Sequence, residues 1–162
     1  MEEKISTGLL GKKGELLVTN RLLKDYEVFF PYFDRGVDLI VKKKDQKRFF
    51  TIQCRTRDFR GRTARNLTMK KNDFERMRIN VDFLVFVVYR GERDVKFLVF
   101  PISWLQKIVE AIAKRRPVEK NYILRIKCEG DDVRYERKGL NVPEKALDIS
   151  RFAEEKGWEQ LK

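Results

Sequence analysis

Histidine is absent from the chain. That one absence removes Ser-His-Asp and Cys-His catalysis, histidine-ligated zinc and imidazole proton shuttling. Cysteine is scarce: Cys54 and Cys128 stand alone and far apart. A disulfide framework or a zinc knuckle is therefore not expected, and both thiols read as reduced. Long apolar runs are lacking as well. No stretch approaches the roughly 20 residues of a transmembrane helix, and residues 1–5 hold no apolar signal-peptide core. No membrane is expected to be involved, and the expected location is the cytoplasm. Internal repeats, low-complexity segments and linkers are also missing. The chain therefore reads as a single domain over 1–162, with a core at about 6–115 and a C-terminal hairpin and helix at about 120–162.

What is present is charge. Of 162 residues, 37 are basic and 25 acidic, leaving +12 at neutral pH and a sequence pI near 9.8. A surplus of that size attracts polyanions without dictating a fold. With no histidine and no paired cysteines, any catalysis must rest on carboxylates, amides, lysines, arginines and metal ions.

Periodicity sets the element order. Residues 6–25 read as a helix with Leu9, Leu16 and Leu23 at seven-residue spacing beside Leu10, Leu17 and Leu22. Strands are expected at 27–33, where Pro31 implies an edge or bulge, at 37–43, and at 48–57 after a hairpin tip at Lys44-Asp45-Gln46-Lys47. The apolar-poor stretch 58–68 reads as a loop. A helix follows at 72–79, capped by Asn72 or Thr68. Residues 81–89 are almost continuously apolar, as in a strand buried on both faces. Another strand spans 95–100, and Ser103 caps a helix reaching Arg115. Residues 122–128 and 133–137 suit a hairpin, and Pro143 opens a last helix to about Lys156. This order implies an α/β fold with a mixed central sheet flanked by helices.

Four features then line up. Gly8, Gly11 and Glu15 fall on one face of the first helix, with the leucines on the other; two helical glycines cost roughly 1 kcal/mol each against alanine. They make sense where a bulky group, such as a nucleic-acid backbone, must approach Glu15. Asp38 interrupts an apolar strand, a position that disfavours aspartate. Gln53 and Arg55, two apart on the next strand, point to the same side. A basic stretch follows at once.

In Gly11-Lys-Lys-Gly-Glu15, Arg35-Gly-Val-Asp38-Leu-Ile-Val and Thr51-Ile-Gln-Cys-Arg55, the chain resembles the PD-(D/E)XK nuclease superfamily, in particular its archaeal junction-resolvase and intron-homing branches. That family's signature is a helix Glu, a strand Asp and then (Glu/Gln)-x-Lys. The resemblance, over about residues 8–90, implies a restriction-endonuclease-like fold and a Mg²⁺-dependent endonuclease, with Mn²⁺ able to substitute. It implies Asp38 as principal metal ligand, Glu15 as a further carboxylate, and Gln53 and the Cys54 carbonyl as oxygen ligands. Arg55 stands at the lysine position. An arginine stays protonated and cannot serve as a general base, but it can stabilise phosphorane charge. A DNA-binding protein that has lost catalysis is the alternative on the same fold. The resemblance also implies a homodimer and, with DNA as partner, association with the nucleoid.

Between Arg55 and Arg78, nine cations face Asp58, Asp73 and Glu75. Arg57, Arg60, Arg62, Arg65, Lys70 and Lys71, together with Gly11, are the expected nucleic-acid contacts, arginine being suited to bidentate phosphate binding. Each residue has a plainer reading too: Glu15 as a solvated helix carboxylate, Asp38 on the wet face of an edge strand, the basic run as a solvated surface. Phe59 either stacks on a base or anchors its loop to the core. Trp158 either packs a helix or joins a dimer contact.

Overall fold

The computed structural model describes residues 6–32, 36–115, 120–129, 132–135 and 149–161. Among them, a five-stranded mixed sheet has the order β1-β2-β3-β5-β6, formed by β1 (Tyr26–Phe29), β2 (Leu39–Lys43), β3 (Phe49–Asp58), β5 (Phe83–Tyr89) and β6 (Val95–Pro101). Only β3 and β5 run parallel. A second, antiparallel sheet joins β4 (Ala64–Lys70), β7 (Asn121–Glu129) and β8 (Asp132–Tyr135). Helices α1 (Thr7–Leu22), α2 (Lys71–Asn80), α3 (Ile102–Arg115) and α4 (Glu154–Trp158) pack around them. The expected mixed α/β architecture is what the chain adopts. No helix among the described residues is long and apolar enough to cross a membrane.

Strand alternation divides the central sheet into two faces. Phe50, Ile52, Cys54, Val85 and Val99 look toward α1 and α4. Leu84, Phe86, Val88, Leu98 and Phe100 look toward α2, α3 and the second sheet. Strand β5, apolar at every position, is buried throughout because it meets a core on each side.

Four expectations change. The stretch 58–68 is not all loop: β4 starts at Ala64 and pairs in full register with β7 (Lys70↔Asn121, Leu67↔Leu124). That pairing is invisible locally because its partner lies more than fifty residues on. Helix α2 needs neither Asn72 nor Thr68 as its cap. It follows β4 directly through Lys70, which makes no side-chain cap bond, and Lys71 N donates to Lys120 O at 3.1 Å. Helix α3 begins one residue before Ser103. The last helix is broken in its described part: a 3₁₀ turn at Ser150–Phe152 and α4 are separated by an extended Ala153. The rest of that expectation (143–148), with the 130–131 turn and the 136–137 strand end, lies outside the described residues.

Helix α1 also turns the other way round. Ser6 caps it, accepting from Leu9 N at 3.3 Å. The buried stripe is Leu10, Gly14, Val18 and Leu22, whereas Leu9, Leu16 and Leu23 are 63%, 58% and 50% exposed. The leucines and glycines do occupy different faces, but the heptad leucines face solvent. Gly14 decides this, because its missing side chain lets the helix lie against Thr56 of β3. A Cβ at Gly8 or Gly11 would meet nothing within 4 Å, so both positions are open to an approaching group. Trp158 is buried against Phe97 (5.6 Å between ring centroids), with Arg21 over its ring, and packs its helix as a core residue.

Candidate active site

Strands β2 and β3 pair up to Leu39↔Ile52. One residue beyond, Asp38 N still donates to Ile52 O at 2.8 Å, which fixes Asp38 opposite Gln53. The Asp38 carboxylate then crosses to β3, where Oδ2 accepts from Gln53 Nε2 at 2.6 Å and from Cys54 N at 2.7 Å. Its Oδ1 has no hydrogen-bond partner among the described residues. Gln53, only 3% exposed, also brings Nε2 to 3.4 Å from Cys54 O, and Arg55 Nη1 lies 3.4 Å from the same carbonyl. One carboxylate, one amide and one carbonyl thus meet at a single point. Gly36 approaches there with φ +80, and a Cβ on it would stand 3.6 Å from Gln53 Oε1. Both the left-handed backbone and the space favour glycine.

Burial raises the Asp38 pKa above the ordinary carboxylate value. The Cys54 N–H opposes the shift, the Glu15 charge adds to it, and Arg55 and Lys12 oppose it. Burial also pushes the Cys54 thiol well up. That side chain faces α1, so Cys54 offers the site its carbonyl and not its sulfur.

Asp38, Gln53 and Arg55 form one wall of a cleft of about 540 Å³. Thr68 and Lys70 of β4, Asp73 and Arg76 of α2, and Asn121 of β7 line the rest. Arg76 pairs with Asp73 at 2.8 Å. Glu15 stands apart from this wall. It belongs to the helix on the other face of the sheet, and its carboxylate pairs with Lys12 at 2.7 Å. Its charge reaches Asp38, but its side chain does not line the cleft. Among the described residues, no three Asp, Glu or Cys side chains gather closely enough to hold a metal ion.

The basic residues divide by location. Arg55 and Lys70 enter the cleft. Arg57 is half-buried, donating to Asn66 O at 3.2 Å and Thr56 O at 3.0 Å; burial, then Arg55 and Arg65, lowers its pKa. Arg65 Nε donates to Asp58 O at 2.6 Å. Arg60 grips the Asp58 carboxylate with Nε and Nη2, at 3.1 and 2.8 Å. These three guanidinium groups hold the β3–β4 turn, whereas Arg62 is exposed at its tip. Lys71 lies 5.8 Å from the Tyr122 ring centroid. Phe59 is 1% exposed and edge-on to Phe86, so it anchors the turn. Asp73, Arg76, Thr68 and Asn121 were missed as site residues. Asp73 and Arg76 had a signal in the basic run; Asn121 had none, since only the β4–β7 register brings it there.

The Arg60 bond holds the Asp58 pKa below its ordinary value of 3.8. A depressed carboxylate stabilises the fold above that value and loses the contribution as pH falls through the folded pKa. Asp58→Asn therefore lowers the melting temperature at pH 7, and the gap to wild type closes below pH 3.8. Asp58 is partly exposed, so the loss stays under about 1 kcal/mol. A gap that widens on acidification would contradict this.

No protein-family profile matches the chain, and no curated protein matches it. Among solved structures, a bacterial homing endonuclease, I-Ssp6803I, superposes with a TM-score of 0.51 at 18% identity, over 97% of this chain and 93% of that one. Hjc, a Holliday junction resolvase from Archaeoglobus fulgidus, gives 0.45 at 14% identity, over 72% and 83%. The first likeness shows that this chain shares the fold of I-Ssp6803I.

Proposed function

We propose that the chain is a Mg²⁺-dependent nuclease that hydrolyses phosphodiester bonds of duplex or branched DNA, Mn²⁺ substituting. The observation that carries this reading is the meeting of Asp38, Gln53 and the Cys54 carbonyl on the wall of a cleft that also holds Arg55, Lys70 and Arg76. The shared fold with an endonuclease supports it.

The donor set suits a hard cation. Asp38 Oδ1 is unengaged, the Cys54 carbonyl has only long contacts, and half a turn of the Gln53 amide presents Oε1 in place of Nε2. Oxygen ligands with waters completing the shell are what Mg²⁺ prefers. When bound there, the ion would supply charge neutralisation at the phosphate and an acidified water. Arg55 adds a permanent positive charge beside that phosphate and takes no proton. Glu15 acts through its field, keeping Asp38 basic. A homodimer is part of the same reading, with the exposed Leu9, Leu16 and Leu23 stripe as the surface offered.

One observation favours the catalytically silent alternative. Gln53 Nε2 already satisfies Asp38 Oδ2 at the point a cation would take. Labelled linear, branched and single-stranded DNAs, each incubated with Mg²⁺, Mn²⁺ or chelator, decide between the two. Cutting with either ion and none in chelator is expected; binding without cutting under both ions makes the chain a DNA-binding protein. Binding itself weakens with salt by a slope of about −0.9 per phosphate contact. Lys70→Ala flattens that slope by about 1, whereas an unchanged slope would remove Lys70 from the contact.

A further inference from the structure

The face of the central sheet that holds Asp38, Gln53 and Arg55 is only partly covered. Over β5 and β6 it is buried beneath α2, α3 and the second sheet. Over β1, β2 and the start of β3 the cover ends at half-buried Ile40. Register places Phe29 opposite Ile40 and Phe49 opposite Lys42, so both rings stand on the same face as Asp38 and Gln53. Phe29 is 45% exposed and Phe49 53%. Their ring centroids are 6.2 Å apart at 51°, giving one continuous apolar surface. Phe49 lies four residues from Gln53 along β3, about 13 Å of strand.

An uncovered apolar face calls for an occupant, and its surroundings select one. Lys42, between the rings, lies 6.0 Å from the Phe49 centroid and pairs with Glu27 at 2.9 Å. The adjoining turn adds Lys43, Lys44, Lys47 and Arg48 against Asp45 alone. Rings flanked by cations and continuous with a phosphate-accepting cleft suit a polyanion that has flat apolar faces of its own. From this we infer that Phe29 and Phe49 form a stacking platform for unpaired bases of a DNA strand whose backbone continues to Asp38 and Gln53. The substrate is then one that offers unpaired nucleotides beside the cut: a branch, a flap or a single strand. Every base has a π-face, so such a platform recognises strand openness and not sequence. The inference rests on the nuclease reading of the cleft.

The test is fluorescence anisotropy at fixed salt with three labelled probes: a single-stranded oligonucleotide, a branched duplex with an unpaired arm, and a covalently closed duplex with no free ends. The Phe29→Ala/Phe49→Ala double variant is expected to lose about tenfold or more in affinity for the first two, with little change for the closed duplex. Phe29→Tyr/Phe49→Tyr keeps the rings and is expected to restore binding, which separates stacking from damage to the fold. Equal losses on all probes, or none, would overturn the platform. A double variant that sediments as monomer where the wild type is dimer, with probe preferences unchanged, would overturn it in favour of a contact between two copies. Wild type that binds no DNA would instead sink the nuclease reading itself, whereas tight binding of closed duplex with no preference for open strands would sink the platform alone.

Discussion

Asp38→Asn abolishes cleavage and at the same time makes the chain more stable at neutral pH. The first effect is large because Asp38 is the single carboxylate at the point where Gln53 and the Cys54 carbonyl converge. Electrostatic stabilisation by a bound divalent ion amounts to several kcal/mol, and each 1.36 kcal/mol is tenfold in rate. Losing its anionic ligand therefore lowers the rate by roughly 10³-fold or more. The second effect has the opposite sign. Burial is the largest influence on Asp38 and raises its pKa, outweighing the Cys54 N–H, Arg55 and Lys12. A carboxylate whose folded pKa lies above its unfolded one stabilises the fold at low pH and loses that contribution as pH rises through the folded value. Asparagine does not titrate, keeps an oxygen for Cys54 N, and turns its amide toward a rotated Gln53. Denaturant melts at pH 4 and pH 7.5 should coincide more closely at the lower pH, with the variant ahead at the higher one. A variant that cleaves within threefold of wild type, or that is less stable at pH 7.5, would remove Asp38 from the centre of the site.

The same burial explains why Asp38 was legible in the sequence. An aspartate between Val37 and Leu39 stands out because a strand flanked by two cores has no ordinary use for it. Gln53 and Arg55 were legible through the period of two, which the structure confirms by placing them on one face opposite Leu84 and Phe86. Glu15 was read from helical spacing, which fixes the side of a helix but not the side of the sheet on which the helix lies. It sits across the sheet from Gln53, so only its field reaches the site. The arginines illustrate a different limit. A count of charge cannot separate a guanidinium that holds a turn, as Arg57, Arg60 and Arg65 do, from one that lines a cleft, as Arg55 does. That distinction depends on β4 leaving the central sheet to pair with β7, a contact with no local sequence signal. Phe29 and Phe49 passed unnoticed for a related reason: whether an aromatic residue is core or surface depends on how far the covering layer extends.

Gly14→Ala tests the element that carries Glu15 into range. A Cβ at that position would lie 1.7 Å from Thr56 Oγ1, 2.9 Å from Thr56 Cβ and 3.3 Å from Thr56 Cγ2. Rotating the threonine cannot relieve the contact with its Cβ, so α1 must lift from β3. Overpacking of this kind costs about 1–3 kcal/mol and occasionally more; three unfavourable contacts at a helix–sheet seam place Gly14 at the upper end. Helix propensity alone would favour alanine by about 1 kcal/mol, which makes Gly11→Ala the internal control. A Cβ there meets nothing, so Gly11→Ala should stabilise while Gly14→Ala, three residues away, destabilises. Thr56→Ala recovers only part of the Gly14→Ala loss, because the Cβ contact at 2.9 Å survives the truncation. Equilibrium urea unfolding of the four variants, including the double, measures the coupling directly. If Gly14→Ala and Gly11→Ala shift the midpoint in the same direction, the helix does not dock through Gly14 and Glu15 is not held where its charge acts on Asp38. If they shift it oppositely, the glycine that looked incidental in the sequence is the one that sets the distance between the first helix and the site.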